Sequence, residues 1–258
     1  MRPLFWKPKS LTTDDEEWQI ECWRWLLENF DGPEALRKRR LVEPTGEFFP
    51  SAKKQGHAQA EYVFGLTATL MGLSPDWFKL VPQEEAINPI VGQYAIVKNV
   101  PLSPAGTFGS DGSGGLTITY DPSLIARPMD LVATLAHELC HALLLQTKEK
   151  LPGGDECEEF GTDLAVTFFG LGIFGANAAF NFSRFSDPST GMQGWSTRRT
   201  GYLTDIEWGF SLALFALSTD TPDERIAGHL KVSPAAHFRK ALKYLRANPA
   251  IMERALSV

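Results

Sequence analysis

The stretch from Leu131 to Asp163, LVATLAHELCHALLLQTKEKLPGGDECEEFGTD, decides how the chain is read. It opens on His137-Glu138-Leu139-Cys140-His141 and, after a short reversal, closes on Glu158-Glu159-Phe160-Gly161-Thr162-Asp163. A helix turns about 100° per residue, so His137 and His141, four apart, share one face a turn from each other. Two imidazoles at that spacing can bind one Zn²⁺, and Glu138 projects to the side, near where a bound water would sit. The run reads as helical. Pro128 suits a first turn, and Leu131, Leu135, Leu139 and Leu143 form an apolar stripe opposite the histidines. Neither Gly nor Pro interrupts Met129 to Thr147. Cys140 lies about 100° around the helix from His141 and reads as a packing residue, not a ligand.

Zinc needs a third protein ligand, and a catalytic site leaves the fourth position to water. Lys148 to Gly154 is a polar connection ending in Pro152-Gly153-Gly154, which should reverse the chain and return it beside the first helix. Asp155 reads as an N-cap with Glu158 at N3, so a second helix is expected to start there. The acidic run Asp155, Glu156, Glu158 and Glu159 suits the positive end of that helix. With Glu158 used in the cap, Glu159 is the carboxylate free to face the metal, and Glu156 and Asp163 are the other candidates for third ligand. Asp163 follows Glu159 by one turn on the same face, where it could accept the N–H of a ligating histidine.

The pattern resembles the gluzincin branch of the zincin metallopeptidases, in which H-E-x-x-H is followed, on a second helix, by a Glu ligand and an Asp four residues later. It falls here on His137, Glu138, His141, Glu159 and Asp163, with 17 residues between the second His and the Glu. The resemblance covers about thirty residues of 258. It implies that His137, His141 and Glu159 bind zinc, that Glu138 is the general base, and that Asp163 orients a histidine. It implies a zinc-dependent hydrolase, most simply a metallopeptidase acting on a peptide or protein substrate. It also puts the strand Leu116–Tyr120 at the border of the cleft, as the edge on which an extended peptide adds. Gluzincins usually supply an oxyanion donor from a His or Tyr after the ligands; Tyr202, His229 and His237 are candidates here, and no motif selects one. The alternative is a zincin-like domain that binds zinc without catalysis, as a regulatory or interaction module. Glu138 favours the enzyme, since a purely structural site has no need of a carboxylate there.

Composition bounds the partners. A length of 258 residues allows a full core, and contents of 43% hydrophobic and 22% charged are ordinary for a soluble globular protein. A net charge of −6 argues against a nucleic-acid partner, and the basic run Arg37-Lys38-Arg39-Arg40 reads as solvated surface. Cys22, Cys140 and Cys157 show neither a disulfide framework nor a C-x-x-C knuckle, which fits a reducing compartment. The N-terminus, MRPLFWKPKSLTTDDEE, has no apolar region of signal-peptide length, so a cytoplasmic protein is expected, whereas most gluzincin peptidases are secreted or membrane-bound. Leu164 to Phe180 is uncharged, but its 17 residues fall short of a comfortable membrane span and contain three glycines. It reads as a buried helix behind the metal site, its glycines packing closely against the first helix.

The remaining segments complete an α+β expectation: a mainly helical zincin-like domain with a small sheet beside the active-site helix. We read one domain with lobes, comprising an N-terminal helical segment (1–55), the metal-binding core (56–182) and a C-terminal helical segment (183–258). Thr13-Asp14-Asp15-Glu16 is a capping box opening a helix that Asp31-Gly32-Pro33 ends, and a second helix runs from His57 to Met71. Tyr94–Val100 and Gly115–Tyr120 read as strands, with a glycine-rich hairpin or lid between them. Ser183 to Gly201 is loop-like. Thr204-Asp205-Ile206-Glu207 opens a helix through Leu217, while Thr221-Pro222 and Ser233-Pro234 each place a cap before a first-turn Pro.

Overall fold

The computed structural model describes residues 11–83, 106–110, 116–183 and 203–258; the expected strand at Tyr94–Val100, most of the Ser183–Gly201 loop, and Tyr202 lie outside them. In chain order the elements begin with α1 (Thr13–Asn29), α2 (Gly32–Arg37), α3 (His57–Leu70), β1 (Phe78–Pro82), β2 (Gly106–Ser110) and β3 (Leu116–Tyr120). There follow α4 (Pro128–Leu144), α5 (Glu158–Phe168), α6 (Gly172–Ser183), α7 (Asp205–Ser218), α8 (Asp223–Ala227), α9 (Val232–Arg246) and α10 (Pro249–Ala255). The protein is mostly helical with a small mixed sheet, the α+β class the sequence predicts. The chain divides into two compact units, Ala52–Leu139 and Met1–Ser51 with Cys140–Val258, and α4 continues from the one into the other.

In the unit Ala52–Leu139, the strand order is β1-β3-β2, with β3 parallel to β1 and antiparallel to β2. The alternation in Leu116–Tyr120 does what a half-buried strand requires: Ile118 and Tyr120 are fully buried. Thr119, on the other face, bonds Thr107 Oγ1 at 2.7 Å and accepts from Gln83 Nε2 at 3.0 Å. One expectation is corrected here. β3 is paired on both sides, so it is not an edge to which a peptide can add; β1 and β2 flank it. At the far end of β3, the His57 ring stacks on Tyr120 at 5.9 Å and its Nδ1 lies 3.0 Å from the tyrosine oxygen, which fixes the start of α3.

In the other unit, α1 starts one residue earlier than its capping box suggests. Thr12 and Thr13 each have an acid three residues on, and the extended backbone of Thr12 decides between them: its Oγ1 accepts the Asp15 N–H at 3.2 Å. Glu16 is buried and partners Tyr244, whose hydroxyl is pushed up to about 12 by burial and by that carboxylate. Asp31, with φ of 65°, then turns the chain into the short helix α2, which the breaker residues had concealed.

The uncharged run Leu164–Phe180 is two helices and not one. Gly170 separates α5 from α6 at φ +90°, and any side chain there would run into the Arg40 carbonyl; its own carbonyl accepts the Val42 N–H at 3.0 Å. Its other glycines face α7, not α4: a Cβ on Gly175 would meet the Trp208 indole, and one on Gly172 would lie 2.8 Å from Leu212 Cδ2. Among the described residues no helix is long and apolar enough to cross a membrane.

Helix α7 carries the complete capping box expected of Thr204 and Glu207. The next two starts shift: Pro222 is itself the cap position of α8, and α9 begins at Val232 because Ser233 gives its hydroxyl to Asp205 Oδ2 at 2.6 Å instead of capping. Helices α7 and α9 touch through backbone at Gly209, where a Cβ would sit 2.7 Å from the His237 carbonyl carbon and 2.8 Å from the Phe238 nitrogen. Gly209→Ala gains about 1 kcal/mol of helix propensity and incurs about 1–3 kcal/mol of overpacking. Backbone cannot rotate away as a side chain can, so the overpacking wins. The expected result is a lowered thermal midpoint; a raised one would mean the two helices part freely here.

Candidate metal centre

Helix α4 is enclosed along most of its length. Leu131, Leu135, Leu139 and Cys140 are essentially inaccessible, and so are the polar residues His137 (8% exposed) and Glu138 (6%). Burying an imidazole and a carboxylate side by side is costly unless their polar atoms are engaged. Burial pushes the Cys140 thiol well above its ordinary range, which keeps it protonated among the packed side chains.

The second half of the site comes from the start of α5. Gly153 and Gly154, at φ +87° and +64°, reverse the chain, and Trp18 Nε1 donates to the Pro152 carbonyl at 2.9 Å to hold the turn. Asp155 is not the N-cap: it lies in a 3₁₀ turn, Gly154–Cys157, and its carboxylate takes the Lys150 ammonium at 2.9 Å. Cys157 occupies the cap position without a side-chain capping bond, and Glu158 and Glu159 are the first two residues of the helix. Neither carboxylate is spent on capping. Glu158 Oε1 lies 3.6 Å from His141 Nδ1, and Glu159 Oε2 lies 3.7 Å from His141 Nε2. Both stand on the positive end of α5, which favours negative charge.

His137, His141 and Glu159 come together: one donor atom from each lies within 4.8 Å of the others, the first residue buried and the other two half-buried. This group can hold a metal ion. Of the alternative third ligands, Glu156 is exposed in the 3₁₀ turn, and the buried Asp163 uses Oδ2 to accept the Leu203 N–H at 2.9 Å, which ties down the approach to α7. His229 lies 3.7 Å from Glu43 Oε1 beside the Glu43–Arg225 ion pair, and His237 packs where α9 meets Gly209.

One participant was not legible in the sequence. Gly106, the first residue of β2, has no room for a side chain: a Cβ would lie 2.8 Å from Thr134 Cγ2 and 2.9 Å from Glu138 Oε1. The backbone of β2 therefore runs directly against the Glu138 carboxylate. Several glycines populate residues 101–115, and nothing in their spacing distinguishes this one.

Compared with known proteins, the chain matches no family model, no curated protein and no solved structure. Fold and site together define a mainly helical α+β protein with three side chains arranged to hold a metal ion.

Proposed function

We propose that this protein is a zinc-dependent hydrolase of the metallopeptidase type, cleaving a peptide or other amide bond. The observation that carries the reading is the His137–His141–Glu159 group on two helices, with Glu138 directly following its first histidine. The donor set fits the ion. Zinc takes imidazole and carboxylate ligands at about 2.0–2.2 Å in a tetrahedron, which sets ligand atoms roughly 3.4 Å apart. His141 and Glu159 stand within a few tenths of an ångström of that at 3.7 Å, and the half-exposed Glu159 can swing to close the rest. Calcium and magnesium favour all-oxygen shells, so two imidazoles point away from them.

Zinc, when bound, supplies Lewis acidity toward a carbonyl oxygen and makes water acidic enough to be deprotonated near neutrality. The chain supplies the rest. His137, His141 and Glu159 hold the ion, and Asp163 orients a histidine in this reading. Glu138, shielded from bulk water and braced by the β2 backbone, takes a proton at its carboxylate and returns it to the leaving nitrogen. Strand β2 pairs only with β3 among the described strands and begins against Glu138, so an extended peptide adding along it would pass the base. Cys22, Cys140 and Cys157 are not joined in disulfides, which suits a reducing compartment such as the cytoplasm.

The test is substrate profiling of zinc-loaded protein on a proteome-derived peptide library, reading new N-termini by mass spectrometry. Cleavage should cease on chelation and return with added zinc. A zinc-loaded protein that cleaves nothing in the library would overturn the hydrolase reading and leave the metal group standing.

A further inference from the structure

We infer that the exposed face of α9 is a docking surface for an acidic, extended segment of a partner protein, held through Arg239, Lys240 and Lys243. Charge is segregated along this chain. Its formal net charge is −6, yet from Arg225 to Met252 it has six Lys or Arg and no Asp or Glu. Three of those six cations are engaged within the fold. Arg225 pairs with Glu43, Lys231 gives its ammonium to the Asn177 carbonyl at 2.8 Å, and Arg246 meets the two oxygens of Asp223 at 2.7 Å each. The other three, Arg239, Lys240 and Lys243, are exposed and make no ion pair among the described residues. Like charges three and four residues apart on a helix repel one another. The negative end of α9 offsets this for Lys243 in its last turn, but Arg239 and Lys240 lie before that turn. An external anion would relieve the whole row.

The row borders a hollow of about 410 Å³ lined by Asp223, Arg239, Leu242, Lys243, Arg246 and Ala247. Its one carboxylate, Asp223, is held on both oxygens by Arg246, so Arg239 and Lys243 leave the lining with two positive charges in excess. At 1.5 Å of rise per residue, Arg239 and Lys243 stand about 6 Å apart along the helix. Alternate side chains of an extended peptide stand about 6.7 Å apart. A strand laid along α9 with acids at every second position therefore meets both cations in register. Other polyanions fit less well. The apolar side of α9, with Phe238, Ala241, Leu242 and Leu245, is buried in the core and cannot enter a bilayer. A long nucleic acid would also meet the negative charge of the rest of the chain, whereas a short acidic segment needs only the row itself. The inference does not depend on the metal reading.

Fluorescence anisotropy tests this on the full chain, with a labelled peptide of about ten residues in which Glu alternates with Ala. Wild type should bind that peptide and ignore the same peptide with Gln in place of Glu. Binding should fade as salt approaches about 1 M, where charges are screened beyond about 3 Å. Arg239→Glu combined with Lys243→Glu should weaken it about tenfold or more, the scale of two surface pairs replaced by repulsion. Arg239→Gln combined with Lys243→Gln should weaken it severalfold. Both side chains are exposed, so the thermal midpoint should stay near that of wild type. Should the charge reversal disturb the fold, the glutamine pair still decides. Wild type that does not bind the Glu peptide, or folded variants that bind it as wild type does, overturns the inference. So does tighter binding, through the same residues, of a single-stranded oligonucleotide or of phosphatidylserine vesicles. Self-association of wild type that the charge reversal abolishes would make the occupant a second copy of this chain and overturn it as well.

Discussion

Glu138→Gln is expected to keep its metal and its fold and to lose turnover by roughly 10²–10⁴-fold, the scale on which a positioned general base acts. The substitution is isosteric. A glutamine occupies the same buried place against Gly106 and Thr134, so neither α4 nor β2 has to move. What disappears is the capacity to take a proton. Rates on a substrate found by profiling, with metal content and thermal midpoint measured on the same preparation, separate loss of chemistry from loss of structure. Full activity in the variant would remove Glu138 from the mechanism. If Glu138→Gln supports normal function in cells while a ligand variant does not, the metal serves a regulatory or interaction module and not an enzyme.

His141→Ala should abolish metal binding. It removes one of the three donors, 3.7 Å from Glu159, and leaves two ligands on different helices. A ligand that binds only the folded state stabilises it by about 2.7 kcal/mol at a hundredfold excess over its dissociation constant. Added zinc should therefore raise the thermal midpoint of wild type by several degrees and leave that of His141→Ala where it stands. The zinc-free midpoints should be similar, because His141 is only partly buried. A zinc-dependent rise that survives in the variant would place the metal elsewhere.

The sequence revealed the helices that carry periodic apolar faces or complete caps: α3, α4 and α7 lie where their signals put them. It also named the three residues that the structure brings within reach of one another, although Glu159 was reached partly through a cap that does not form. Glu158 is not held in a cap, because Lys150 draws Asp155 into a 3₁₀ turn and α5 begins late. Capping signals read forward from Asp155 could not show a competitor five residues before it. The break at Gly170 escaped notice for a similar reason: one glycine in an apolar run fits a helix equally well until the Arg40 carbonyl approaches it. Strand β1 was missed because its partner lies tens of residues away, and β2 because its glycine-containing run lacks an alternating apolar pattern; without them β3 looks like an edge. Gly106 could be found only after Glu138 had been placed opposite it.

The central claim is that His137, His141 and Glu159 bind zinc, and elemental mass spectrometry of protein purified without chelator tests it most directly, with Glu159→Ala measured alongside. The account predicts close to one zinc per wild-type chain and a sharp fall in the variant. Wild type that carries no zinc, and takes up none when it is supplied, would contradict it.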